Sequence, residues 1–249
     1  MRIRILSDLH VDFAPVVLPH VNADVIVLAG DIRPGKGALA WIKANFPEQP
    51  VVYVLGNHEF YGRAIPKLTN DFRHISEGTN IHVLENDCLS FNGFRFLGCT
   101  LWTDFSLFGD PASAGRNAAN VMNDYRRIRV SPQFRRLRGH DTAGFHAHSI
   151  RWLQSQLSLN PAYPTVIVTH HAPSPRSLDQ AEAQDLISSA YASNLEVMVA
   201  ASRAKLWIHG HIHRPANYWI GETHVLSNPQ GYPDRAADPA FDPALVLEL

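Results

Sequence analysis

Five short apolar runs constrain this chain more than any other feature. They are "RIRIL" from Arg2, "VIVLAGDI" from Val25 to Ile32, "VVYVLGNHE" from Val51 to Glu59, "VIVTHHAP" from Val166 to Pro173 and "LWIHGHIH" from Leu206 to His213. The last four are unbroken and rich in β-branched or aromatic residues, as strands buried on both faces are. In the first, Ile3 and Ile5 alternate with Arg2 and Arg4, which suits a strand with one buried face. Between the second and third runs, "KGALAWIKANF" sets Leu39, Ile42 and Phe46 at helical spacing. Ile65, Leu68, Phe72 and Ile75 repeat that spacing after the third, with Pro66 in a first turn. Strands alternating with helices predict parallel pairing through crossovers.

The middle of the chain changes character. "CLSFNGFRFLGC" places Asn92-Gly93 between apolar flanks, a hairpin signal that implies antiparallel strands and a second sheet. Residues 112–128 and 142–158 read as helices. "NYWIGETHVLSN" reads as a further hairpin around Gly221, and "LVLEL" as a last strand. With no repeat, low-complexity tract or linker, residues 1–249 read as one domain of two stacked sheets with helices outside. Apolar residues make up 45% and charged residues 18%, with a formal net charge of -1, which gives no electrostatic case for long nucleic acid or a membrane surface. No stretch approaches the ~18 uninterrupted apolar residues of a membrane span, and the chain enters its first strand directly, so no secretory leader is expected. Cys88 and Cys99 are too few for a disulfide scaffold or a thiolate cage, which points to the cytoplasm.

The runs share a second property. Each leads, at its carboxyl end, into groups able to bind a metal: Asp8 and His10, Asp31, Asn57 and His58, His170 and His171, then His211 and His213. Ligands of open α/β sheets bind outside the carboxyl ends of the strands, so these residues are expected to converge. Taken singly, each is an ordinary cap, turn dipeptide or core imidazole; five together point to one cause. Gly30, Gly56 and Gly210 precede three of them and permit close approach. The donors exceed what one tetrahedral ion needs. They suit two first-row ions, Mn, Fe or Zn, with Asp31 able to bridge, and such a pair can clamp an in-line displacement at phosphorus.

The ordered blocks "DLH" at 8–10, "GD" at 30–31, "GNHE" at 56–59, His170 in "THHAP" and "GHIH" at 210–213 resemble the calcineurin-like metallophosphoesterases. "LWTD", "MNDYRRI" and "SNPQGY" are similar to one bacterial branch of that family whose substrates are unassigned. The resemblance implies an α/β fold in four α-β-β-α layers, two mixed central sheets flanked by helices. It implies Asp8, His10, Asp31 and His213 around one metal and Asp31, Asn57, His170 and His211 around the other. His170 rather than His171 is the ligand, and His58 stabilises or protonates the leaving oxygen. The activity implied is hydrolysis of small phosphomonoesters or phosphodiesters, with direct attack by metal-bound hydroxide.

Further expectations concern substrate and support. Glu59 either orients His58 or faces solvent. Trp102 and Tyr125 are candidates to stack on a base, and Arg126 belongs to a run of six arginines between residues 126 and 138 that contains no acid and offers a basic rim. Rival readings are a nuclease of the same family, a catalytically silent interaction module on the same fold, and a nucleotide triphosphatase suggested by "GDIRPGKG". The last fails because Gly37 has no hydroxyl for magnesium and Asp31 brings negative charge into an anion loop.

Overall fold

The computed structural model describes residues 1–159, 162–179, 185–232 and 241–249. Along the chain, β1 (Arg2–Leu6) and β2 (Val25–Leu28) precede α1 (Gly37–Asn45), β3 (Val51–Tyr53), β4 (Ala64–Ile65), α2 (Lys67–Ser76) and β5 (Ile81–Val83). The hairpin of β6 (Asp87–Phe91) and β7 (Phe94–Cys99) follows. Next come α3 (Pro111–Val121), α4 (Asp124–Arg127), β8 (Arg129–Val130), β9 (Arg135–Arg136) and α5 (Gly139–Leu157). The last part holds β10 (Thr165–Thr169), α6 (Glu196–Ser202), β11 (Leu206–His209), β12 (Ala216–Ile220), β13 (Thr223–Ser227) and β14 (Val246–Glu248).

One sheet has the order β14-β1-β2-β3-β5 and another β12-β13-β11-β10-β7-β6, while β4, β8 and β9 form a small third sheet. Both large sheets are mixed. In the first, β1, β2, β3 and β5 run parallel and β14 is antiparallel to β1. In the second, β7, β10, β11 and β13 run parallel, with β6 and β12 antiparallel at the two edges. The predicted turn at Asn92-Gly93 has both residues at positive φ, 47° and 76°, the conformation a tight two-residue hairpin demands. Gly221 turns the second hairpin at φ 58°.

Strand periodicity decides the layering. Ile3, Ile5, Val25, Val27 and Val52 point one way and meet Phe96, Val166, Val168, Leu206 and Ile208 of the other sheet. From the opposite face of the first sheet, Ile26, Leu28, Val51 and Tyr53 pack on Leu39 and Ile42 of α1 and on Leu68 and Phe72 of α2. On the outer face of the second sheet, Leu97, Ile167, Trp207 and Val225 pack on Leu153 of α5 and Val199 of α6. The order is therefore helix, sheet, sheet, helix.

Three local expectations are corrected. β1 is covered on both faces: Arg4 is 2% exposed, and its Nε and Nη2 donate to the Pro243 carbonyl at 3.2 and 2.6 Å. A guanidinium whose fork meets a carbonyl can sit where alternation calls for water. The helix expected over 112–128 breaks at Met122, whose extended backbone lets α4 turn Asp124 into the interior. Ile75, assigned to the apolar stripe of α2, is 45% exposed.

Candidate functional site

The polar groups at the strand ends lie just past the last residue of each strand. β1, β2, β3, β10 and β11 stop at Leu6, Leu28, Tyr53, Thr169 and His209. Asp8, His10, Asp31, His211 and His213 then take φ of 51°, 43°, 56°, 70° and 55°. Extended-strand alternation is therefore not what aims Asp8 and His10 at one point; left-handed backbone is. Such conformations cost about 1–3 kcal/mol at a residue with a side chain. Five of them at one rim mean that the surrounding structure holds these donors in place against local preference.

Two donor groups result. Asp8, His10, Asp31 and His213 offer ligand atoms within 4.8 Å of one another, and so do Asp31, His170 and His211. His10 Nε2 faces His213 Nε2 at 3.0 Å and Asp31 Oδ2 at 3.8 Å, while His213 Nε2 is 3.5 Å from Asp8 Oδ1. In the second group, His170 Nε2 lies 3.4 Å from Asp31 Oδ1, 3.0 Å from Asn57 Oδ1 and 3.2 Å from His211 Nδ1. Two donors each ~2 Å from one ion stand about this far apart. Asp31 belongs to both groups.

The surroundings fix tautomers and orientations. His170 Nδ1 donates to the Ala29 carbonyl at 2.8 Å, leaving the Nε2 lone pair toward the cluster. Asn57 Nδ2 donates to Asp124 Oδ1 at 2.9 Å, which turns Oδ1 of Asn57 to His170. The backbone amide of His211 donates to both Asp8 oxygens, at 2.9 and 3.1 Å. Gly30 and Gly56 leave no room for a side chain. A Cβ on Gly56 would lie 2.1 Å from Asp31 Oδ1 and 2.6 Å from His170 Cε1, and one on Gly30 would lie 2.4 Å from His170 Nδ1.

Electrostatics test the fit to a metal. Burial, and after it the charges of Glu59 and Asp8, pushes Asp31 well above the usual carboxylate range. Burial lowers His10 to about 3, and His211 falls well below its ordinary value for the same reason, with help from neighbouring histidines. Imidazoles held neutral keep free lone pairs, which is their ligand form. Among the described residues, His10 Nδ1 and His211 Nε2 are buried and find no hydrogen-bond partner. Buried carboxylates crowded against neutral imidazoles are a poor protein core, and cations between them would repair it. The donor set fits metal ions with nitrogen and oxygen preferences.

Glu59 does neither of the things expected of it. It is fully buried; its carboxylate accepts from the amides of Asp31, Ile32, Arg33 and Gly56 and from the Tyr53 hydroxyl, at 3.0, 2.7, 3.3, 2.7 and 2.8 Å. It ties the loop after β2 to the loop after β3. His58 is 6% exposed; its backbone amide donates to Asp31 Oδ1, and its Nε2 lies 3.9 Å from Asp31 Oδ2. Burial, and then the charges of His10, His170 and His213, lowers it to about 2. Sequence reasoning missed Tyr232. Its hydroxyl is 2.8 Å from His58 Nε2, its ring stacks on His10 at 4.4 Å, and it meets His213 edge-on at 4.6 Å. The "SNPQGY" segment that ends in it was the available signal.

A sequence model of the calcineurin-like phosphoesterases matches residues 1–215. The chain belongs to that family. An uncharacterised protein, L509, of Acanthamoeba polyphaga mimivirus is 25% identical over 214 residues, which cover 80% of this chain and 73% of that one. The crystal structure of a phosphopantetheinyl hydrolase from Mycobacterium tuberculosis superposes with a TM-score of 0.73 at 18% identity, covering 96% of this chain and 93% of its own. That likeness concerns the fold alone.

In this calcineurin-like phosphoesterase the residues expected to contact substrate are each engaged within the fold. Trp102 is buried, with its ring 5.1 Å from His171 and 6.3 Å from Phe60. Tyr125 is also buried, in the layer under the first sheet, with its hydroxyl 3.3 Å from Thr142 Oγ1. Arg126 donates to the Asn120 carbonyl. The arginine run is not one rim either. Arg135 is engaged by both oxygens of Asp141 at 2.6 and 2.7 Å, Arg127 lies over the Tyr61 ring at 4.5 Å, and Arg138 caps α5. Aromatic and basic residues in sequence do not reveal which side of an element they face. Among the described residues, no helix is long and apolar enough to cross a membrane.

Proposed function

We propose that this chain is a two-metal phosphoesterase that hydrolyses small phosphate monoesters or diesters. One observation carries the reading: Asp31 stands in both donor groups. Asp8, His10, Asp31 and His213 would hold one ion, and Asp31, Asn57, His170 and His211 the other, with Mn, Fe or Zn matching such ligands. Bound there, the ions would polarise the phosphoryl oxygens and acidify a water near neutral pH. His58 and Tyr232 supply the remaining polar groups on the Asp31 side. The His58 Nε2 and Tyr232 hydroxyl share a hydrogen bond, so one N–H or O–H between them is available to a departing oxygen. Stabilising that oxygen by donation, rather than delivering a stored proton, suits an imidazole that burial keeps neutral. Glu59 and Asp124 position Asp31 and Asn57 without touching substrate.

The test is a panel of monoesters and diesters, including a phosphopantetheinyl ester and single-stranded DNA. Metal-depleted protein would be assayed after reconstitution with Mn, Fe or Zn, and bound ions counted. Turnover of small esters with two ions per chain is expected. Full turnover by the stripped protein would refute the metal role. Degradation of DNA in preference to small esters would favour the nuclease, and binding of both ions with no turnover of any ester would favour the silent module.

A further inference from the structure

The segment "RPGKG" after Asp31 takes no part in the donor groups, yet the fold gives it a setting. Arg33, Lys36 and Gly37 line a cleft of about 560 Å³ together with Gly62, Arg63, Lys67, Asp71, Arg129 and Phe134. Five cations thus face one carboxylate in a chain whose net charge is -1. Asp71 is taken up by Lys36 at 3.4 Å and Lys67 at 3.1 Å. Among the described residues no carboxylate lies within ion-pair distance of Arg33, Arg63 or Arg129. The three guanidiniums come from the loop after β2, the entry to β4, and β8. All three line the cleft, with Arg129 Nη1 already donating to the Arg126 and Ile128 carbonyls at 2.9 and 3.2 Å, and guanidiniums brought from separate elements are suited to a phosphoryl group.

The cleft adjoins the donor groups on one particular side. Arg33 is two residues beyond Asp31, so their Cα atoms lie within ~7 Å. The Tyr61 ring lies 4.2 Å from the His58 ring and beneath Arg127. From there Gly62 donates to the Arg127 carbonyl, and Arg129 to the Arg63 carbonyl, each at a length of 3.0 Å or less. The chain from His58 through Tyr61 to Arg63 therefore runs from the donor cluster to the cleft, with the backbone of Arg129 bonded beside it. His58 is the group assigned above to the departing oxygen.

We infer that this cleft binds a second phosphoryl group, carried on the leaving portion of the substrate, so that the preferred substrate is a small molecule bearing two separated phosphoryl groups. This rests on the two-metal reading for the first of them. Arg33 and Arg63 supply the forks and Arg129 its remaining N–H groups, while Lys36 and Lys67 add charge that Asp71 only partly offsets. Phe134, 55% exposed at the edge of the cleft, gives the connecting portion an apolar surface. Association is steered by the field of the cleft, and the second contact lowers KM more than it raises kcat.

The experiment compares α,ω-alkanediol bisphosphates of graded length with the matching alkyl monophosphates on metal-loaded protein. At the length that spans both sites, kcat/KM for the bisphosphate is expected to exceed that of the monophosphate about tenfold or more. Arg63→Gln should cut that ratio several-fold, and the double variant Arg33→Gln/Arg63→Gln should bring it close to unity. Lys43→Gln, which removes a charge from α1 outside the cleft, should keep the ratio. Equal kcat/KM at every length, or a ratio that survives in the double variant, would overturn the inference. Bis(p-nitrophenyl) phosphate separates the two failures, since it carries no second phosphoryl group. Its turnover without any bisphosphate advantage sinks the cleft alone, and no turnover of either class sinks both readings.

Discussion

At the scale of single residues, the candidate site depends on groups outside the donor set. Four amides and a phenol converge on Glu59, so Glu59→Gln would place an amide N–H₂ among donors that need an acceptor. We expect the variant to lose roughly 3 kcal/mol of stability and about 10–100-fold in metal affinity, read by denaturant midpoint and metal titration; unchanged metal affinity would remove Glu59 from its positioning role. His58→Ala separates chemistry from binding. Both ions should remain, while turnover falls, least for esters of good leaving groups such as p-nitrophenol. Loss of an ion in that variant would contradict the assignment. For Gly56→Ala the clash with Asp31 Oδ1 leaves no room for repacking, and failure to bind the second ion is the expected result.

At the scale of elements, the start of α5 shows how a charged cap makes stability depend on pH. Burial alone would raise the Asp141 carboxyl, but hydrogen bonds from Arg135 and the Arg138 amide, with the charge of Arg135, outweigh it and hold the group below its ordinary value. A carboxyl lowered by folding stabilises the fold above its unfolded value, near ~3.9, and that contribution disappears as pH falls through the lower, folded value. Asp141→Asn should therefore melt below wild type at pH 7, with the two melting curves converging in strong acid. A gap of constant size across that range would show that the cap acts through shape and not charge. The same cap explains why α5 begins at Gly139, three residues before apolar periodicity would start it. Periodicity reports buried faces, whereas caps depend on one side chain reaching back.

At the scale of the molecule, the donors come from both central sheets. Asp8, Asp31 and Asn57 follow strands of the first, and His170, His211 and His213 follow strands of the second. Ions at the seam would tie the sheets together in the folded state only. A chelator should then lower the melting temperature, and reloading should restore it, by about 2.7 kcal/mol at an ion concentration a hundred times Kd. Calorimetry with and without chelator measures this, and an unchanged transition would mean that the donors bind no ion tightly.

Much of this was legible in the residues. Four unbroken apolar runs, the Asn92-Gly93 turn and the spacing in α1 were enough for two sheets with helices outside, because burial on two faces leaves a pattern that needs no knowledge of the partner. The candidate donors were legible for a related reason: side chains able to hold a metal are few in kind, and here they follow the ends of strands. What the linear order could not carry was direction. Whether Trp102 and Tyr125 face solvent or core, whether Arg135 is free or held by Asp141, that Tyr232 returns to His58, and that Arg33, Arg63 and Arg129 meet in one cleft were all decided by packing between segments distant in the chain. A residue's chemistry is local, but its exposure and its partners are properties of the folded whole.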